Sequence, residues 1–271
     1  MTPFNLKDRV AIVTGAMGLL GREHCSALLE AGASVVVADL DHAAATTYAG
    51  ELAEAYEGRA FGVGVDVGAA ESVAAMTADV LKRFDRVDIL VNNAAIDDKV
   101  ESPKLALELS RFENYPLESW EKLLRVNLTG AFLCCQSIAP RMAAQKRGSI
   151  INIASTYGLV APQQNLYLDR EGKQRFFKSP AYPVSKAGLL QLTRFLASYY
   201  GASGVRANSL SPGGVQNAQD EDFQTNYSSR VPLQRMADKG DYRGALVFLA
   251  SDASSYMTGA NLVIDGGWTA W

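Results

Sequence analysis

Val10-Ala11-Ile12-Val13-Thr14-Gly15-Ala16-Met17-Gly18-Leu19-Leu20-Gly21 is the stretch whose reading decides the fold. Its first four residues are apolar without alternation, as in a strand covered on both faces, and Gly15 closes the run. A helical pattern follows from Gly21 to Ala31 and stops at Gly32, a residue suited to a helix C-terminus. A strand that turns through glycines into a helix brings backbone N–H groups to the positive end of the helix dipole. A pyrophosphate can bind there. Tight packing of strand on helix can call for the same glycines.

Working outward, Ser34 to Ala38 reads as a second buried strand closed by Asp39, 18 residues after Gly21. A carboxylate at that place accepts hydrogen bonds from the adenosine ribose hydroxyls of a dinucleotide and repels a 2′-phosphate. Met17 and Leu40 supply no cation, so the reading favours NAD over NADP. Asp39 could instead cap the next helix. Further strands are expected at Ala60 to Val65, Val87 to Val91, Ser149 to Ile153, Val205 to Leu210 and Asn261 to Ile264, with helices near 41–57, 69–84, 117–145, 181–203 and 241–251. Short strands separated by helices predict an α/β, doubly wound, seven-stranded parallel sheet with helices on both faces. With no linker, charge run or repeat to divide it, residues 1–271 are expected to form one domain.

Composition limits the function. With 48% hydrophobic and 20% charged residues the chain is neither disordered nor a coiled coil. Lys and Arg number 26 against 29 Asp and Glu, and this slightly acidic balance lacks the footprint of a nucleic-acid binder. Met1 to Arg9 lacks the apolar core of a signal peptide, and no run approaches the roughly 20 apolar residues of a membrane helix. The expected location is the cytoplasm, where three cysteines, Cys25, Cys134 and Cys135, stay reduced. Two histidines, His24 and His42, are too few and too scattered for a metal site and read as solvated helix residues.

Tyr182-Pro183-Val184-Ser185-Lys186 opens a predicted helix. A spacing of four sets Tyr182 and Lys186 on one face. A free tyrosine, with a pKa of about 10, is a poor base near neutrality, and a neighbouring ammonium favours its phenolate. Such a pair can exchange a proton with an alcohol or carbonyl while hydride moves to or from a nicotinamide. Two connections are too long for simple strand–helix turns, Ile96 to Leu117 and Thr156 to Pro180. Both follow carboxyl ends of predicted strands, the edge where open α/β sheets bind ligands.

With these pieces in order, the chain resembles the short-chain dehydrogenase/reductases along essentially its whole length. The resemblance rests on the Gly-rich turn, Asp39, Asp66-Val67, Asn92-Asn93-Ala94-Ala95, Asn127 in Val-Asn-Leu-Thr-Gly, Ser155 in Ile-Asn-Ile-Ala-Ser, Tyr182 with Lys186, Pro212-Gly213 and Asp265-Gly266-Gly267. It implies a Rossmann fold and a set of roles. Tyr182 would be the general acid/base, Lys186 would lower its pKa and bond the nicotinamide ribose, and Ser155 would donate to the substrate oxygen. Asn127 would hold a water linking Lys186 to solvent. Gly15, Met17, Gly18, Leu19, Leu20 and Gly21 would cradle the pyrophosphate, with Leu40 beside Asp39 at the ribose. Asp66 and Val67 would border the adenine, Asn93, Ala94 and Ala95 would line the cofactor floor, and Pro212, Gly213 and Val215 would flank the nicotinamide. The resemblance also implies dimers or tetramers through the helices near 117–145 and 181–203.

Three departures stand out. Gly15, Gly18 and Gly21 are spaced by three and three, whereas the family's turn uses four and two; the three-and-three spacing is similar to the sugar-nucleotide-modifying branch. Ala95 replaces a usual glycine. Ser155 and Tyr182 stand 27 residues apart, about twice the common separation. The longer connection carries Gln163, Gln164, Asn165, Tyr167, Asp169, Arg170, Lys173, Arg175 and Lys178; the other adds Asp97, Asp98, Lys99, Lys104 and Arg111. Amides and cations suit a polyol, a carboxylate or a phosphate better than an apolar steroid.

The expected function is a metal-free, NAD-dependent alcohol dehydrogenase or ketone reductase acting on a polar, sugar-like small molecule. Arg170, Lys173 or Arg175 are expected to hold that substrate, and the ending resembles oxidoreductases of bacterial surface-sugar (nonulosonic-acid type) pathways. A sugar-nucleotide dehydratase or epimerase, a 3-oxoacyl carrier reductase and a catalytically silent NAD-binding regulator are the alternatives.

Overall fold

The computed structural model describes residues 2–98 and 107–271. Lys99 and Lys104, counted above in the first long connection, lie outside the described residues. The strands are β1 (Val10–Thr14), β2 (Ser34–Asp39), β3 (Ala60–Gly64), β4 (Ile89–Asn92), β5 (Gly148–Ile153), β6 (Val205–Pro212) and β7 (Asn261–Ile264). All pair in parallel in the order β3-β2-β1-β4-β5-β6-β7. The order reverses between β1 and β4, which opens a crevice outside their carboxyl ends.

The described helices are α1 (Leu19–Glu30), α2 (His42–Ala55), α3 (Ala70–Phe84), α4 (Leu107–Ser110), α5 (Leu117–Leu124), α6 (Gly130–Ala144), α7 (Ala181–Tyr200), α8 (Glu221–Ser228) and α9 (Arg243–Ala250). Strand residues alternate between two cores. Ala11 and Val13 of β1 pack with Leu28 of α1 and Leu246 of α9, whereas Val10 and Ile12 pack with Met76 of α3 and Ile138 of α6. Each fully buried aliphatic side chain contributes roughly 1.5–3 kcal/mol, so these layers hold the sheet's ligand edge rigid.

A third, smaller cluster stands apart from both. Leu166, Tyr167 and Phe176 pack there on Tyr227, Val231, Met236 and Trp268. The excursion between β5 and α7 is therefore ordered: it makes a short bridge, Leu168 to Gln174, and docks on the segment after β6.

Several expectations are corrected here. The helix anticipated over 117–145 is α5 and α6 joined by a π-helical stretch, Arg125–Thr129, whose wider turn is closed by the Gly130 N–H on the Arg125 carbonyl. Helix α8 was not foreseen, because its sequence is largely polar and its apolar residues meet only the small cluster. His42 is exposed as expected, but His24 is fully buried in α1 and neither ring nitrogen has a well-formed hydrogen bond among the described residues. Burial brings its pKa down to about 4, against weaker opposing pulls from Asn93 and Glu23.

Candidate functional site

The glycine turn is built by two close approaches. Gly15 has φ +62°, and a Cβ there would lie 2.6 Å from the Ala94 Cα. At Gly21 a Cβ would come within 2.2 Å of the Gly15 carbonyl oxygen, so α1 could not lean on the turn. Gly18 is more tolerant, its nearest neighbour on the same test being 3.2 Å away. Its part is to precede Leu19 as an N-cap without a capping side chain. The N–H groups of Leu19, Leu20 and Gly21 then have no intrahelical acceptor and can serve an anion. The three-and-three spacing thus keeps the two indispensable glycines and turns an exposed Leu19 toward the cleft where the usual turn has a glycine.

Asn93 locks this turn to β4. Its side-chain amide donates to the carbonyls of Thr14 and Gly15, both at 2.9 Å, while the Thr14 hydroxyl accepts from the N–H groups of Asn93 and Ala94 at 3.1 Å. Asn93 therefore positions the loop as well as lining the cleft. Ala95 sits there with a negative φ, so its methyl group replaces the usual glycine without backbone strain. Asp39 accepts the Met17 N–H at 2.8 Å, tying the turn to β2, and Leu40 beside it is exposed. It does not cap α2; Asp41 does, accepting from the Ala44 N–H at 3.0 Å.

Tyr182 and Lys186 lie in the first turns of α7, with the Lys186 ammonium 5.6 Å from the Tyr182 ring centre. The ammonium donates to the Ile153 carbonyl at 2.7 Å. Burial brings Lys186 down to about 8, partly countered by the charge of Asp97. The expected lowering of the tyrosine does not occur in this structure. Burial pushes the Tyr182 phenol above its ordinary range, Asp97 adds to that, and the Ser155 hydroxyl is the partner that favours the phenolate. Desolvation of the anion outweighs an ammonium turned toward Ile153. Ser155 caps the short turn Thr156–Gly158 by accepting the Tyr157 N–H at 3.1 Å, which leaves its own proton to donate.

Asn127 lies in the π-helical stretch, and its side chain is already engaged. Its Oδ1 accepts the Ile96 N–H at 2.8 Å, while its Nδ2 donates to the Ile96 carbonyl at 2.9 Å and to Ser185 Oγ at 3.1 Å. Ser185 in turn donates to the Tyr182 carbonyl at 2.7 Å. The Asn127 side chain thus ties the start of the first long connection to α7.

One cleft of about 1230 Å³ gathers Gly15, Met17, Gly18, Leu19, Leu20, Asp39, Leu40, Asp66, Val67, Asn93, Ala94, Ala95, Ser155, Tyr182, Lys186, Pro212, Gly213 and Val215. Among the anticipated residues Gly21 and Asn127 stand behind its wall. Asp66 turns one carboxylate oxygen to the Gly68 N–H at 2.8 Å. The predicted substrate cations are redistributed. Arg170 is mostly exposed and pairs with Asp222 at 2.6 Å and Glu221 at 3.3 Å; Lys173 is on the surface, and Arg175 lines the cleft but pairs with Asp220 at 2.6 Å. Among the described cations of the two long connections the buried one is Lys178, paired with Asp97 and 4.8 Å above the Tyr182 ring.

The sequence reading missed the wall from Asn217 to Asp220, Phe223, Tyr227 and Met236. A signal existed: some 30 residues separate the end of β6 from α9, again far more than a simple turn takes. Among the described residues no three His, Cys or carboxylate side chains are grouped to hold a metal ion, and no helix is long and apolar enough to cross a membrane.

Comparison with known proteins agrees with this architecture. Residues 15–269 match the family described as "Enoyl-(Acyl carrier protein) reductase". The chain is 35% identical to the D-threitol dehydrogenase of Mycolicibacterium smegmatis, covering 98% of this chain and 95% of that protein. It is 34% identical to an L-rhamnose 1-dehydrogenase (NAD(P)(+)) of Azotobacter vinelandii, covering 97% of each. The crystal structure of a gluconate 5-dehydrogenase from Burkholderia cenocepacia in complex with NADP and tartrate superposes with a TM-score of 0.86, at 29% identity and over 99% and 98% of the two chains.

Proposed function

The chain belongs to the short-chain dehydrogenase/reductase family, and we propose that it is an NAD-dependent dehydrogenase of secondary alcohols, working reversibly on a polar, sugar-like substrate. One observation carries the reading: Ser155, Tyr182 and Lys186 stand at one end of a single cleft whose other end holds the glycine turn and Asp39. The coenzyme fits what is present. Free N–H groups begin α1, the Gly15 and Gly21 approaches keep the turn tight, and the Asp39 carboxylate stands where a 2′-phosphate would be repelled, with no cation on Met17, Leu40 or Asp41.

A bound nicotinamide would supply the donor or acceptor of hydride for the carbon that carries the alcohol. The chain's own residues handle the proton and the charge. Tyr182, kept protonated by burial, donates to the oxygen of a carbonyl substrate; in the reverse direction its phenolate takes the proton from an alcohol. Ser155, whose oxygen is fixed by the Tyr157 N–H, donates to the same substrate oxygen and stabilises its developing charge. Lys186 holds its ammonium between Tyr182 and Ile153, and Asn127 fixes the first turn of α7 through Ser185.

The reading places catalysis and coenzyme in one cytoplasmic domain. Exposed Phe132 on α6 and Phe195 and Tyr199 on α7 suit a homodimer or homotetramer. The test is coenzyme reduction across polyols, neutral sugars, sugar acids, steroids and acyl thioesters. NAD-linked oxidation of a polyol or sugar is expected; a screen won by a steroid or acyl thioester, or by NADP, overturns the assignment.

A further inference from the structure

Resting on that reading, we propose that Asp97, held by Lys178, is the acceptor for a second hydroxyl of the substrate, and that the substrate is a neutral polyhydroxy compound rather than an acid. Asp97 follows β4 and Lys178 ends the excursion after β5, so the two long connections meet in one ion pair over the catalytic tyrosine. The pair leaves a carboxylate oxygen over. Oδ2 takes the ammonium, whereas Oδ1 is enclosed and has no hydrogen-bond partner among the described residues.

An enclosed acceptor without a donor is destabilising, and a substrate hydroxyl that draws it into the cleft relieves it. The Asp97 side chain is 35% exposed, and the residue lines the cleft. A turn of the Asp97 side chain about its first torsion brings the enclosed oxygen into the cleft while Lys178 keeps the other. Because Lys178 sits on the Tyr182 ring, the accepted hydroxyl belongs to a carbon close to the reacting one, as in a vicinal diol.

Charge points the same way. Lys178 is spent on Asp97 and Arg175 on Asp220, while Asp98 accepts the Tyr115 hydroxyl at 2.5 Å. Among the described residues lining the cleft, Lys122 is an exposed cation outside any ion pair, but beside Tyr182 the pairs leave carboxylate oxygens rather than a free guanidinium for the substrate. An anion would meet repulsion there; a neutral hydroxyl would meet an acceptor.

The probes are cyclohexanol, trans-1,2-cyclohexanediol and 2-hydroxycyclohexanecarboxylate, oxidised with NAD. Wild type is expected to favour the diol over cyclohexanol at least about tenfold in kcat/KM, through KM, and to use the carboxylate more slowly than the diol. Asp97→Leu, of nearly the same shape, should bring the diol-to-cyclohexanol ratio to about one, with NADH binding as the check of folding. If that variant does not fold, Asp97→Asn keeps the shape but loses the charge, and the ratio should fall by severalfold. An unchanged ratio in a folded variant, or a preference for the carboxylate, overturns the inference and leaves the dehydrogenase reading in place. Failure of wild type to oxidise all three overturns both.

Discussion

The Lys186 ammonium and the Ile153 carbonyl are joined by a 2.7 Å hydrogen bond at the carboxyl end of β5. The cation is thus fixed to the sheet, and its influence reaches Tyr182 across the ring face rather than through a bond to the phenol. The phenol is consequently governed by burial and stays protonated at neutral pH. Carbonyl reduction, which uses the phenol as acid, should keep its rate through the neutral range. Alcohol oxidation needs the phenolate, so its kcat/KM should climb on the alkaline side. Rate–pH profiles in both directions check this; an oxidation rate that peaks below neutrality contradicts it.

Tyr182→Phe removes the proton but keeps the ring beneath Lys178. Turnover should fall about a thousandfold, within the usual range for a lost general acid/base. NADH binding, followed by fluorescence, should stay within a few-fold of wild type. Near-normal turnover would take Tyr182 out of the mechanism.

Asp39→Ala removes both the repulsion of a 2′-phosphate and the bond to the Met17 N–H. The preference for NADH over NADPH should narrow at least about tenfold, with some weakening of both as the glycine turn loosens. Titration of the two reduced coenzymes measures it. Wild type binding NADPH more tightly than NADH would remove the premise.

The glycines should separate sharply. Gly21→Ala forces a Cβ to within 2.2 Å of the Gly15 carbonyl oxygen, and a loss of about 3 kcal/mol or more in stability is expected. Gly18→Ala, with its nearest neighbour at 3.2 Å, should cost under about 1 kcal/mol. Denaturant midpoints of the two variants decide it, and equal losses would mean that the turn is not built as described.

His24 should impose an acid limb on stability. Its pKa is about 4 in the native protein against 6.5 for a free side chain, so the unfolded chain binds the extra proton between those values. More protons on the unfolded state mean stability that falls as pH drops from about 6.5 toward 4. His24→Leu should gain on wild type over that window. Urea unfolding at pH 7.5 and pH 5 measures the difference, which should be larger at pH 5.

The sheet was legible because its evidence is local. Apolar runs such as Val10 to Val13 and Val35 to Ala38, set between helical patterns, read as strands covered on both faces. The glycine turn and Asp39 were legible from the strand ends, Tyr182 with Lys186 from their spacing of four, and Ser155 only through the family resemblance. Roles settled by neighbours distant in sequence were not. Nothing in the local pattern distinguishes Lys178 from Lys173, yet one is buried on Tyr182 and the other faces water. His24 differs from expectation for the same reason: it is fully buried in α1 with Asn93, distant in sequence, beside it. Helix α8 carries too few apolar residues to announce itself.

The small cluster of Leu166, Tyr167, Phe176, Tyr227 and Trp268 shares no residue with the two cores that sandwich the sheet. A lineage could therefore exchange the mouth of the cleft wholesale, trading one appetite for another, while the machinery beneath stays untouched. The same separation offers a seam for engineering. Residues 159–179 and 216–236 form a cassette that meets the rest through the aromatic cluster and a few polar ties such as Lys178 to Asp97, with Trp268, three residues before the last, as the peg on which any new cassette must hang.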